Sequence, residues 1–173
     1  MNIKFQSLIP EDFNDHARIW IYQSSREFSA AEIVQVEKCL RDRIKGQELQ
    51  GSILQSITLL LFGHFIIIIL DQPGTERSGF YIDNLIGCIN EIERDFQVTL
   101  LDRQMLAFII QDRVQLLPLS MVNDVMEKDM ITPETLYFNN TVLTKRELLE
   151  NWIIPVKDSW LGKRIPNEVE FEL

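Results

Sequence analysis

The clearest two-residue alternation in the chain runs from Ala17 to Ser24. Ile19 and Ile21 point one way and Arg18, Trp20 and Tyr22 the other, as in a half-buried strand. Ser29-Ala30-Ala31-Glu32 follows with the spacing of a capping box, in which the serine oxygen and the glutamate each satisfy a free backbone N–H. It predicts a helix with Ile33, Val36, Leu40 and Ile44 on one face, ending near Gly46. No charged residue then occurs between Glu48 and Asp71, and Ile53–Leu70 approaches the length of a membrane span. Gly63 and His64 fall at its midpoint, however, and Ile66-Ile67-Ile68-Ile69 is β-branched. The segment therefore reads as a hairpin, Ile53–Phe62 and Phe65–Leu70, turning at Gly63-His64.

A loop from Asp71 to Gly79 leads into a second helix, with Leu85, Ile86, Ile89, Ile92 and Phe96 on its apolar side. Gln104–Ile110 reads as a fourth strand, and Val114–Leu117 as a fifth after a turn at Asp112-Arg113. The order β-α-β-β-α-β is the ferredoxin-like arrangement, of class α+β. Beyond it, Ser120 is placed to cap a helix to about Lys128, Thr135–Phe138 is a short strand, and Thr144 is placed to cap a helix to about Trp152. An irregular tail from Pro155 contains Trp160, and Asn167–Leu173 alternates glutamates with Val169, Phe171 and Leu173. The expected organisation is a single domain over 1–173, with a core over about 15–118 and an appended C-terminal α/β unit over about 119–173. In a ferredoxin-like sheet both helices lie on one face. Phe65–Leu70 is apolar on both faces, so the appended unit or a second subunit must cover the other.

Composition sharpens this outline. With 173 residues, 46% of them hydrophobic and 25% charged, the chain is long enough and apolar enough for a packed core rather than disorder. A net charge of −9 argues against nucleic acid and against an anionic membrane surface as partners. Cys39 and Cys88 fall in the two predicted helices without metal-ligand spacing and read as free, buried and inert. Met1–Phe13 has one lysine and no apolar run of export-signal length, so a cytoplasmic protein is expected.

Candidate chemistry is sparse. Gly74-Thr75-Glu76-Arg77-Ser78-Gly79 has the G-x-x-x-x-G spacing of a phosphate-binding loop between a strand and a helix. Phe80 and Tyr81 then stand where a lysine and a hydroxyl residue are needed to draw in phosphates and anchor Mg²⁺. Glu76 in the loop and Asp83 in the expected first turn of the helix would also repel phosphate, so the chain is not expected to be a P-loop ATPase. What survives is a candidate binding site for a carboxylate or small anion at Arg77, Ser78 and Gly79, bounded by Asp83. His16 and His64 have no nucleophile beside them in sequence, and no G-x-S-x-G elbow occurs. No metal site and no cofactor are expected from this pattern. Arg18, Trp20 and Tyr22 form either a stacking face for a ligand or a face packed beneath another layer.

Ala17-Arg18-Ile19-Trp20-Ile21-Tyr22-Gln23-Ser24 resembles a bacterial family. The likeness continues through Ser78-Gly79 with Ile82-Asp83, Asp102-Arg103, Phe138-Asn139-Asn140, Thr144-Lys145 and Asp158-Ser159-Trp160. It is similar to the uncharacterised group labelled "ABC transporter ATPase", over about residues 15–161. Where that family has a Cys-Ser pair after the S-G step this chain has Phe80-Tyr81, and where a histidine commonly follows the last tryptophan it has Leu161. The label implies ATP hydrolysis, but the chain lacks both a Walker A lysine and an L-S-G-G-Q signature. The expectation is thus a non-enzymatic binding or interaction protein, with a homodimer or a protein partner. The alternative is a small-molecule or anion-binding protein, or an enzyme, using the Gly74–Asp83 loop.

Overall fold

The computed structural model describes residues 3–44, 55–71 and 78–164. The loop glycine Gly74, Arg77 and the alternating end Asn167–Leu173 lie outside the described residues. The fold is α+β, with four α-helices and two antiparallel sheets among the described residues. The chain divides into two compact units, one comprising Asn2–Asp102 and Asn140–Glu150, the other Arg103–Asn139 and the chain from Asn151 onward.

The first unit holds β1 (Arg18–Gln23), α1 (Ala30–Ile44), β2 (Gln55–Leu61), β3 (Phe65–Asp71) and α2 (Ser78–Phe96). Its sheet runs β1-β3-β2, antiparallel throughout. The predicted capping box forms: Ser29 N–H donates to the Glu32 carboxylate at 2.7 Å, and Glu32 N–H donates to Ser29 Oγ at 3.3 Å. With the first turn satisfied, α1 turns Val36 and Leu40 fully inward, against Tyr22, Ile66 and Ile68 of the sheet and Leu85, Ile89 and Ile92 of α2. Each such fully buried aliphatic side chain contributes about 1.5–3 kcal/mol relative to exposure. The expected stripe of α2 needs one correction. Ile86 is 43% exposed, and Cys88 takes the inward place, because positions 85, 88, 89 and 92 share a face that 86 lies roughly 100° away from.

The hairpin between β2 and β3 pairs Leu61 with Phe65, leaving Phe62, Gly63 and His64 as the turn. Phe62 was expected to end the strand. It instead adopts φ 54° beside Gly63 at φ 65°, and His64 N–H closes the turn on the Leu61 carbonyl at 3.1 Å. Phe65 through Ile69 are wholly buried, so both faces of β3 are covered within a single chain. The outer edge of β1 is also occupied. Ile19 N–H donates to the Leu143 carbonyl at 3.0 Å, Lys145 N–H to Ala17 at 2.9 Å, and Arg146 N–H to Asp15 at 3.0 Å. The outer edge of β2 carries no strand among the described residues.

The second unit contains β4 (Met105–Ile110), β5 (Arg113–Pro118), α3 (Val122–Glu127), β6 (Leu136–Phe138) and β7 (Ile153–Pro155), with strand order β5-β4-β6-β7. The fourth strand is therefore hydrogen-bonded to β5 and β6. The β4–β5 turn lies at Gln111-Asp112 (φ 50° and 60°), one residue before the expected Asp112-Arg113. Two left-handed residues match the twist of paired strands, which is why the turn settles there. Ser120 does not cap α3. Leu119 N–H is taken by the Gln104 carbonyl at 2.7 Å, and the chain enters α3 through a 3-10 turn, Leu119–Met121, without a side-chain cap. Leu106, Phe108, Val122, Ile131, Tyr137, Val156 and Leu161 form this unit's core. Trp152 is wholly buried, edge-on to Phe138 with centroids 5.3 Å apart. The tail expected to be irregular from Pro155 follows β7 as two 3-10 turns, Val156–Asp158 and Trp160–Arg164.

The remaining helix, α4 (Lys145–Asn151), belongs to the first unit up to Glu150. Thr144 caps it as expected: Glu147 N–H donates to Thr144 Oγ1 at 3.3 Å, while Leu143 N–H donates to the Glu147 carboxylate at 2.7 Å.

Candidate functional site

Of the four expected binding residues, Ser78 and Gly79 open α2 and Asp83 lies within it; Arg77 is outside the described residues. Because α2 begins at Ser78, Asp83 is its sixth residue and not part of the first turn, which holds no acidic residue. The first N–H groups of a helix lack intrahelical acceptors and carry the positive end of its dipole.

Other groups with chemical potential are committed to the fold. His64 is buried in its turn, its Nδ1 3.5 Å from the Ser24 carbonyl, and burial holds its pKa below the ordinary 6.5. It is therefore neutral at pH 7. His16 is exposed in a loop, where its own N–H donates to Asn14 Oδ1 at 2.8 Å. Tyr22 lies in the core between sheet and helices, and burial raises its pKa. Trp20 packs partly against that core with the Arg18 guanidinium 5.2 Å from its ring centre. Of this face, Tyr22 thus lies beneath the helix layer, Trp20 sits at its margin, and Arg18 is exposed. Glu32 is held down to about 2, first by its hydrogen bonds from Arg26 and then by those from Ser29. Arg26 also donates to the Phe96 carbonyl at 2.6 Å, joining the ends of α1 and α2.

Two arrangements were not visible in the sequence. Lys145 is only 5% exposed; its Nζ donates to the carbonyls of Phe13 at 2.5 Å and Glu11 at 3.3 Å, with the exposed Asp15 carboxylate 3.6 Å away. Cys39 and Cys88, both expected to be free, buried and inert, have their sulfurs 3.6 Å apart, and Cys39 is only half-buried. Their places beside Val36 and Leu40 on one stripe, and beside Leu85 and Ile89 on the other, were the available signal.

Several residues of the family-like motifs turn out to be structural. Asn140 Nδ2 donates to the buried Gln23 at 2.9 Å, Thr144 caps α4, and Ser159 Oγ bonds the Val156 carbonyl at 2.7 Å. Among the described residues no cluster of three or more His, Cys, Asp or Glu side chains is placed to hold a metal ion. Nor, among those residues, is any helix long and apolar enough to cross a membrane; the segment that approached a span's length is, from Gln55 to Asp71, the β2–β3 hairpin. No protein-family model, no curated protein and no solved structure matches the chain.

Proposed function

We propose that this chain is a non-enzymatic binding or interaction protein of the bacterial cytoplasm that self-associates through the outer edge of β2. The observation that carries this reading is the edge itself. Residues Ser56–Leu60 are only half-buried, and the strand contains neither a charged residue nor a proline. Natural edge strands are usually guarded by charges, prolines or bulges, and an unguarded one is a template for a further strand. Antiparallel pairing of β2 with its own copy is self-complementary about a two-fold axis. Two copies, each carrying −9, repel one another overall, and residues 49–70, which contain no charge at all, are where they can meet with least repulsion.

The finer fold reading is a ferredoxin-like first unit. Its support is the order β1-β3-β2 with α1 after β1 and α2 after β3, the Leu143–Lys145 segment occupying the fourth position beside β1. The resemblance to the "ABC transporter ATPase" group is kept for chain organisation, and ATP hydrolysis is left aside for want of the lysine. Light scattering across a concentration series tests the association. The wild type is expected at twice the chain mass, and Thr58→Lys, which places a charge on the edge, at the single mass. A variant that dimerises as tightly as the wild type would remove β2 from the interface.

A second reading, binding of a small anion at the start of α2, is favoured by the acid-free first turn. Titration with inorganic phosphate should then shift the amide resonances of Ser78 and Gly79 ahead of all others; uniform small shifts would dispose of it.

A further inference from the structure

We propose that Cys39 and Cys88 form an oxidisable dithiol, which a low-molecular-weight disulfide converts into a disulfide bond stapling α1 to α2. Their sulfurs are 3.6 Å apart, close enough to share a thiol hydrogen bond, and lie on neighbouring helices of one compact unit. Closure to the roughly 2.05 Å of an S–S bond requires an approach of about 1.5 Å, within the reach of χ1 adjustment and a small helix shift. The helices are already tied on the same side, since one turn further along each, Arg43 Nη2 donates to both carboxylate oxygens of Glu91, one of them at 2.6 Å.

The two thiols differ in access, which assigns their order of reaction. Cys39 is half-buried and can be reached from outside; Cys88 is wholly buried. The Cys39 thiolate attacks one sulfur of the incoming disulfide, forming a mixed disulfide and expelling one thiolate of the reagent. The Cys88 thiolate then attacks the Cys39 sulfur, forms the internal bond and expels the second reagent thiolate. Two protons pass from the protein thiols to the released thiolates. The protein is oxidised by two electrons, and one disulfide has been reduced to two thiols. Burial, with the neighbouring Cys39 adding to it, pushes the Cys88 thiol up to about 12. Cys88 is therefore held as a protonated thiol, which leaves Cys39 as the sulfur that reacts first. This proposal is independent of the β2 interface.

The test is exposure of the full-length reduced protein to oxidised glutathione without air, followed by alkylation, intact mass measurement and peptide mapping. The expected product has lost two hydrogens, carries no glutathione and yields a linked peptide pair containing Cys39 and Cys88. Its melting temperature should rise by roughly 5–15 °C, from the chain entropy removed by a loop of this length, and return on reduction. The Cys88→Ala variant should stop at a glutathione adduct on Cys39. Because Cys88 is wholly buried that variant is checked for folding by circular dichroism, and if it does not fold the wild-type product decides alone. A wild type that halts at the adduct, that leaves both thiols unmodified, or that closes without gaining thermal stability would overturn the proposal.

Discussion

Replacing Lys145 by methionine removes a charge at one of the few places where this fold encloses one. The side chain is 5% exposed, and its ammonium donates to the main-chain carbonyls of Phe13 and Glu11, fixing the loop ahead of β1 to the start of α4. Methionine has nearly the same length, so the volume of the buried side chain is largely conserved. What is lost is a charge-assisted hydrogen bond, worth ~1.5–3 kcal/mol, together with the cost of leaving the Phe13 carbonyl unpaired, ~1–3 kcal/mol. The Asp15 carboxylate is 62% exposed and adds little. These effects overlap, and the expected loss is about 2–4 kcal/mol, a sizeable part of the ~5–15 kcal/mol that stabilises a typical domain. Urea unfolding followed by far-UV circular dichroism reads the change as a lowered midpoint with an unchanged slope. Lys163→Met is the control: Lys163 is exposed and its replacement should alter stability by less than about 0.5 kcal/mol. If Lys145→Met costs no more than the control, the buried ammonium is not holding the loop.

His64 and Gly162 supply two further tests. Burial holds His64 below 6.5, so the unfolded chain binds a proton that the folded one withholds; stability should be level above about pH 6.5 and fall as the pH drops below it. His64→Gln should flatten that fall in melting temperature, and an unchanged slope would show that another group controls it. A β-carbon at Gly162 would collide with the main-chain carbonyl of Lys157. Gly162→Ala should therefore cost about 1–3 kcal/mol in urea unfolding, and a neutral result would mean that the turn after Trp160 shifts freely.

The elements announced by local chemistry were legible in the sequence. The capping box at Ser29 starts α1 and Thr144 caps α4 where each indicated, and the hairpin announced by Gly63 and the β-branched run forms, although it takes Phe62 into the turn and pairs Leu61 with Phe65. What local pattern does not encode is which strand finds which edge. Met105–Ile110 has the pattern of a core strand, but nothing in that pattern says that its partners are β5 and β6. Backbone amides and carbonyls of Leu143 and Lys145 occupy the outer edge of β1, and backbone groups are the same at every residue. The candidate site was legible only in part. A glycine-rich step into a helix points to Ser78-Gly79, while the exact start of that helix decides whether Asp83 counts in the first turn. The closeness of Cys39 and Cys88, 49 positions apart, depends on the packing of α1 against α2, which neither stripe reveals alone.

The central claim is that β2 pairs with β2 of a second copy, and amide hydrogen exchange measured over a range of protein concentrations tests it at the residues concerned. Pairing would hydrogen-bond the outward amides of Gln55–Leu61. Their exchange should slow as the concentration rises through the dissociation constant, while β3, already bonded on both sides, stays unchanged. Exchange across Gln55–Leu61 that is independent of concentration, in a sample that light scattering shows to be dimeric, would contradict it.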